Sequence, residues 1–245
     1  DNNNVFLKLE GLNPAGSIKI KPAITMINNL ESSGRLNPRK HRLIESSSGN
    51  LGIALSLVCK IKGYDFTCVT DPNINQISKN YIELYGAKLI IVDKRDENGG
   101  FLNSRIRLIN KMLARDKNLI WLNQYASQSN ITAHFNTTAA EIFNSFTKID
   151  YLFVGVGTSG TIMGCMNYIK KYKLNTKIIA IDALGSVSFG FPAAKRLIPG
   201  IGTSRKPEIL DVKIFNNIIL IAEKDAISMC RYVLDKYGLF IGGST

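Results

Sequence analysis

Residues 151–161, Tyr-Leu-Phe-Val-Gly-Val-Gly-Thr-Ser-Gly-Thr, constrain this chain more than any other stretch. Four residues of apolar character read as a buried strand, Gly155, Gly157 and Gly160 follow, and a helical pattern begins behind them. A strand that runs through such a loop into a helix is an α/β unit. Its loop is a phosphate cup: backbone N–H groups crowd a helix N-terminus, and glycines let the backbone approach an anion. The loop also spells G-x-G-x-x-G, and Asp182 closes the next strand-like run at 177–182. Taken alone, that is a dinucleotide fingerprint, and it predicts an NAD(P)-binding oxidoreductase. The rest of the chain decides whether the phosphate belongs to a dinucleotide or to something else.

Strand-like runs at 5–9, 42–45, 66–70, 88–92, 118–122, 152–154, 178–181, 217–221 and 239–241 alternate with helical spacings. Ala23, Ile27 and Leu30 fall at i, i+4, i+7, as do Leu102, Ile106 and Ile109, and Ile227, Cys230 and Leu234 form a third stripe. This alternation predicts an α/β architecture with mainly parallel sheets and ligands at the carboxyl ends of the strands. The 245 residues suffice for one large domain or two small ones. The Pro/Gly-rich stretch 185–207 is the longest irregular segment, and loops of that length are often functional. Both ends read as cut: the first strand-like run begins almost at once, and the last ends at Gly-Gly-Ser-Thr.

Several function classes fall away. The apolar run at 51–59 is far short of the ~20 residues of a membrane helix, so no membrane partner is expected. The four cysteines are scattered, no C-x-x-C occurs, and there are two histidines, so no metal is expected. Buried reduced thiols in a cytoplasmic protein are the expectation. The net charge of +12 is dispersed, with no basic run interleaved with aromatics. No nucleic-acid partner is expected; a positive cleft for small anionic substrates is.

Four further segments bear chemistry. In Asn13-Pro14-Ala15-Gly16-Ser17-Ile18-Lys19, a turn opens a helix and places Lys19 in its first turn. There the helix dipole lowers an ammonium pKa and favours a nucleophilic amine, although most lysines are simply solvated. In Glu45-Ser46-Ser47-Ser48-Gly49-Asn50-Leu51-Gly52, three hydroxyls and an amide crowd a helix start. One cap needs one such residue, and the surplus suits a carboxylate held by backbone amides with Ser47 and Ser48. Asn123-Gln124-Tyr125 follows another strand: Gln124 can donate to an anion and Tyr125 can position a substrate, while His134 reads as a structural histidine. Gly242-Gly243-Ser244-Thr245 offers close backbone approach and one hydroxyl.

Taken in order, Asn-Pro-x-Gly-Ser-x-Lys, Ser-Ser-Gly-Asn, Asn-Gln-Tyr, Gly-Thr-x-Gly-Thr and the terminal Gly-Gly-Ser resemble the fold-type II pyridoxal 5'-phosphate enzymes, the cysteine synthase and cystathionine β-synthase group. The resemblance spans essentially the whole chain. It implies a two-domain α/β fold of the tryptophan synthase β type, with a small mobile domain at 13–123 and a larger cofactor domain at 1–12 and 124–245. It implies that Lys19 is the Schiff-base lysine and catalytic base, that Asn50 contacts the cofactor's phenolic oxygen, and that Gly157, Thr158, Ser159, Gly160 and Thr161 hold its phosphate. Ser244 faces the pyridine nitrogen, and Ser47, Ser48, Gly49 and Gln124 receive the substrate carboxylate, with Tyr125 beside them. A homodimer is the implied assembly.

Within the group, the stretches 44–52, 94–102 and 199–204 are similar to a siderophore-pathway branch that makes a 2,3-diaminopropionate precursor. That branch joins O-phospho-L-serine to L-glutamate by β-replacement. Leu51 and Tyr125 stand where cysteine synthases usually carry threonine and phenylalanine, which agrees with that branch and disfavours a simple sulfhydrylase, the main alternative. Two anionic substrates need cations, and Arg205, with Lys206 and Arg105, is the candidate for the phosphate or the glutamate side chain.

Overall fold

The computed structural model describes residues 3–97 and 99–245. Asn98, inside the stretch 94–102 used above, lies outside the described residues, as do Asp1 and Asn2. The chain divides into two compact units, one of residues 17–133 and one of residues 1–16 with 134–245.

The first unit contains α1 (Ile20–Ser32), β1 (Arg42–Ser46), α2 (Asn50–Lys62), β2 (Phe66–Thr70), α3 (Gln76–Leu84), β3 (Lys88–Ile91), α4 (Leu102–Arg115) and β4 (Leu119–Trp121). Its sheet has the order β3-β2-β1-β4 with every pair parallel, and Leu43 of β1 stands opposite both Phe66 and Ile120. A central parallel strand is covered on both faces, which is why β1 is buried from Leu43 to Ser46. Ile44, Val69, Ile109 and Leu119 form a core cluster, with Met112 and Trp121 packed against it. Helix α2 is buried at 51–56, 58 and 59, which accounts for the unbroken apolar run there. Residues 124–133 cluster with this unit: the Gln124 amide donates to Glu45 Oε2, and Asn130 Nδ2 donates to the Gln124 carbonyl.

The second unit begins in the last residue of α5 (Gln128–His134), which runs into a π-helical turn at Phe135–Ala139 and then α6 (Ala140–Ser145). Next come β5 (Tyr151–Gly155), α7 (Gly160–Tyr172), β6 (Lys177–Ala183), β7 (Ile218–Ile221) and α8 (Glu223–Tyr237). The sheet order is β5-β6-β7, again all parallel. The expected α/β class with parallel sheets is what forms in both units. Two expected strands, at 5–9 and 239–241, do not form. Val5, Phe6 and Phe240 are exposed, and strand-favouring residues make a strand only where a neighbour completes the ladder.

The irregular stretch 185–207 is tied down by its own side chains. Glu223 Oε1 accepts from the amides of Leu197 and Ile198, both at 2.6 Å. Arg196 donates to the Ile201 carbonyl (3.2 Å) and to Ser204 Oγ (2.8 Å). Ser186, Ser188 and Thr203 link their hydroxyls in a buried chain.

Truncation of Ile109, fully buried between α4 and the sheet, tests the packing of the first unit. Ile109→Ala should cost about 2–5 kcal/mol, seen as a lower urea midpoint at unchanged slope.

Candidate active site

β1 ends at Ser46 and α2 starts at Asn50, so residues 47–49 hand a buried strand straight to a helix N-terminus. Ser47 Oγ accepts from the amides of Gly49 (3.3 Å) and Gly52 (2.9 Å), which makes it the helix's own cap. Ser48 Oγ donates to Asp71 Oδ2 (2.9 Å) and accepts from Arg105 Nη1 (2.6 Å) and Thr70 Oγ1 (3.1 Å). A hydroxyl has one proton to donate and two lone pairs, and Ser48 uses all three. What this turn offers an anion is therefore backbone: the first-turn amides of α2 have no intrahelical acceptor, and Gly49 adds no side chain. Asn50 opens the helix with its side chain exposed.

The turn after β4 is held from below. Asn123 adopts a left-handed conformation (φ 47°), and the Gln124 amide then donates to Glu45 Oε2 at 3.1 Å. Gln124 is buried, and Tyr125 is half-buried beside it. Glu45 Oε1 accepts from the Ser46 amide (2.7 Å) and from Trp121 Nε1 (2.9 Å). Burial pushes the Glu45 carboxyl up to about 7, while these three donors and the Arg105 charge pull it down.

Lys19 occupies the N-cap position of α1, and its amide donates to Ser17 Oγ at 3.3 Å. Its ammonium pKa is lowered, as expected. The cause is loss of solvation around the ammonium, where the sequence pointed to the helix dipole.

In the second unit, β5 passes through residues 156–159 into α7. Ser159 sits at the N-cap in a left-handed conformation (φ 72°), 3% exposed, with Oγ donating to the Gly157 carbonyl at 3.4 Å. Two glycines allow the backbones to meet. A Cβ on Gly157 would lie 3.0 Å from the Gly200 carbonyl oxygen, and one on Gly155 would lie 2.7 Å from that of Ser244. The glycine loop, the 185–207 stretch and the terminal Gly-Gly-Ser segment thus converge on one spot. A cavity of about 90 Å³ opens there, lined by Gly155, Ile181 and Ser244 among others. Behind the loop, His134 is buried, with Nδ1 3.0 Å from Thr138 Oγ1 and Nε2 3.3 Å from Thr161 Oγ1, so it is a structural histidine that engages the loop's last hydroxyl.

Asp182 decides against the dinucleotide. It is fully buried and its Oδ1 accepts from the Ala183 amide at 2.8 Å, so it presents no carboxylate to a ribose. Arg205 is paired with Glu208 (2.6 Å), and Lys206 is exposed. Arg105 is the embedded cation of the three, between Ser48 and Asp71 (3.4 Å), with its Nε buried and lacking a partner. Sequence reasoning passed over Glu45 and Asp71. The available signal was an acid directly after the apolar pair Leu43-Ile44 of a strand-like run, and an acid directly after another such run, Thr70-Asp71.

One unit carries a glycine-rich strand-to-helix loop; the other carries a serine-rich helix start and a desolvated lysine, features that suit an α/β enzyme of amine chemistry. The family model for pyridoxal-phosphate dependent enzymes matches residues 1–245, and the chain belongs to that family. It is 42% identical over 242 residues to N-(2-amino-2-carboxyethyl)-L-glutamate synthase of Ralstonia nicotianae, covering 98% of this chain and 71% of that protein. Its fold is similar to that of O-ureido-L-serine synthase (26% identity, TM-score 0.87, 97% of this chain and 75% of that one). It is also similar to a hydrogen sulfide-producing enzyme of Fusobacterium nucleatum (28%, TM-score 0.88, 99% and 83%). A third neighbour is a hydrogen sulfide-producing enzyme crystallised with an α-aminoacrylate intermediate (30%, TM-score 0.89, 98% and 72%). The fold is the fold-type II architecture of these enzymes, and the cofactor is pyridoxal phosphate.

The contact at Gly155 is open to test. Gly155→Ala drives a methyl group into the Ser244 carbonyl and should weaken pyridoxal phosphate binding about tenfold, read by titrating the apoprotein and following cofactor absorbance.

Proposed function

We propose that this enzyme performs a β-replacement: O-phospho-L-serine and L-glutamate give N-(2-amino-2-carboxyethyl)-L-glutamate and inorganic phosphate. The observation that carries this reading is the 42% identity to the synthase of that name over 98% of the chain. The residues fit the cofactor. At Gly155 the backbones pack too closely for a Cβ and at Gly157 a Cβ would be tight, and the amides at the start of α7 suit one phosphate dianion. In this reading Gly157, Thr158, Ser159, Gly160 and Thr161 hold the phosphate, Ser244 meets the ring nitrogen with a neutral hydroxyl, and Asn50 meets the ring oxygen.

The cofactor, when bound, supplies an electron sink for the substrate's α-carbon. The protein supplies the rest. Lys19 carries the cofactor, and its Nζ takes the α-proton and returns it to the product. Desolvation lowers its ammonium pKa, which favours the neutral amine that this role needs. The amides of Ser48, Asn50 and Leu51 at the start of α2, with Gln124, hold the α-carboxylate, and Tyr125 orients the substrate. Arg105 and, more weakly, Arg205 supply positive charge for the leaving phosphate or the glutamate side chain. The enzyme works as a cytoplasmic homodimer on small anionic amino acids, without nucleic acid or membrane.

Two experiments test this. Mixing the holoenzyme with phosphoserine and either glutamate or sulfide, and weighing the product by mass spectrometry, should yield the glutamate adduct. Cysteine from sulfide, with no glutamate adduct, would replace this reading by a sulfhydrylase. Lys19→Ala should abolish both the lysine-linked cofactor absorbance and the borohydride-trapped cofactor adduct on the 13–21 peptide; persistence of that adduct would overturn the assignment.

A further inference from the structure

Glu45 is the most deeply buried acid of the first unit, at 1% exposure, and the chemistry above does not use it. Its surroundings are unusual for a carboxyl. The hydrogen-bonding groups that reach its two oxygens are all donors: the Ser46 amide and Trp121 Nε1 on Oε1, and the Gln124 amide on Oε2. The protonated acid would bring a fourth donor into this set, so the hydrogen-bond arrangement favours the ionised form against the desolvation that opposes it. The charged and titratable groups that face it are Arg105 of α4, which favours ionisation, and the Cys68 thiol of β2.

The partners lie on two chain segments. Ser46 begins the turn that leads into α2, and Gln124 follows the left-handed kink at Asn123 that ends β4. These turns follow β1 and β4, neighbouring parallel strands of one sheet, and lie 74 or more residues apart in sequence; both bond to the same carboxylate.

We propose that Glu45 is the positioning residue of the substrate-carboxylate site: ionised, it clamps the 46–49 turn and the 123–125 turn in one register. The proposal rests on the reading that these two turns hold the amino-acid substrate, and it adds the group that joins them beyond the last pair of the β1–β4 ladder. Replacing the carboxylate with an amide breaks the clamp selectively. In Glu45→Gln the amide oxygen can keep the two donors at Oε1, and the amide nitrogen then faces the Gln124 N–H, so the 123–125 turn is released.

The chain's single tryptophan makes the clamp directly observable, because Trp121 donates to Glu45. In the wild-type holoenzyme, Trp121 fluorescence followed from about pH 5 to about pH 9 should titrate with a midpoint near neutrality. The Glu45→Gln holoenzyme should lack that transition. At pH ~8 its KM for phosphoserine should rise about tenfold or more, the loss of a hydrogen bond to a charged acceptor, with kcat within about twofold. Lowering the pH through neutrality should raise the wild-type KM and leave that of the variant unchanged. A flat wild-type fluorescence trace, or an unchanged KM in Glu45→Gln, overturns the clamp. If the variant does not fold, the wild-type titration decides. Gln124→Ala separates the two levels: a raised KM there with an unchanged one in Glu45→Gln removes the clamp alone, whereas an unchanged KM in both removes the reading of the turns as well.

Discussion

Parallel pairing is the constraint on which everything else depends. In both sheets every strand runs in the same direction as its neighbour, so each must be followed by a crossing segment, and most of these are helices. The carboxyl end of a strand therefore faces the amino end of a helix, where backbone N–H groups stand without acceptors. β1 into α2 gives the 47–49 turn, and β5 into α7 gives the glycine cup. The capacity of these turns to bind an anion is thus a consequence of topology, and side chains only tune it.

The tuning follows one theme: hydroxyls are spent on the protein. Ser47 caps its own helix, Ser48 is saturated by Asp71, Thr70 and Arg105, and Thr161 is engaged by His134. Fixed hydroxyls hold the backbone still, and rigid amides present a preorganised field to an anion. The glycines at 155 and 157 complete this: the Ser244 carbonyl comes closer to Gly155 than any Cβ tolerates, and the Gly200 carbonyl crowds Gly157.

Burial sets the protonation states. Lys19 and Glu45 have opposite charges, yet desolvation shifts both toward neutrality, and their partners differ. For Lys19 the shift comes from desolvation, the direction that the proposed role as an amine needs. For Glu45 three N–H donors and Arg105 oppose the shift, which holds its carboxyl near neutrality rather than far above it. The same physical effect acts on the proposed reacting group in one place and on the proposed clamp in the other.

The α/β class, the phosphate cup and the candidate lysine were legible in the sequence, because apolar periodicity, glycine spacing and helix-start chemistry are local properties of the chain. Local signals also misled. The runs at 5–9 and 239–241 have strand composition but no ladder, and Asp182 completes a dinucleotide spelling while lying fully buried. The sequence by itself determined which segments could hold an anion and which could form strands. Only the tertiary structure decided that Ser47 caps its own helix, that Ser48 is taken up by Asp71, Thr70 and Arg105, and that Glu45 joins two turns distant in sequence. Hydrogen-bond partners and solvation are set by residues far apart in the chain, and neither is written in local order.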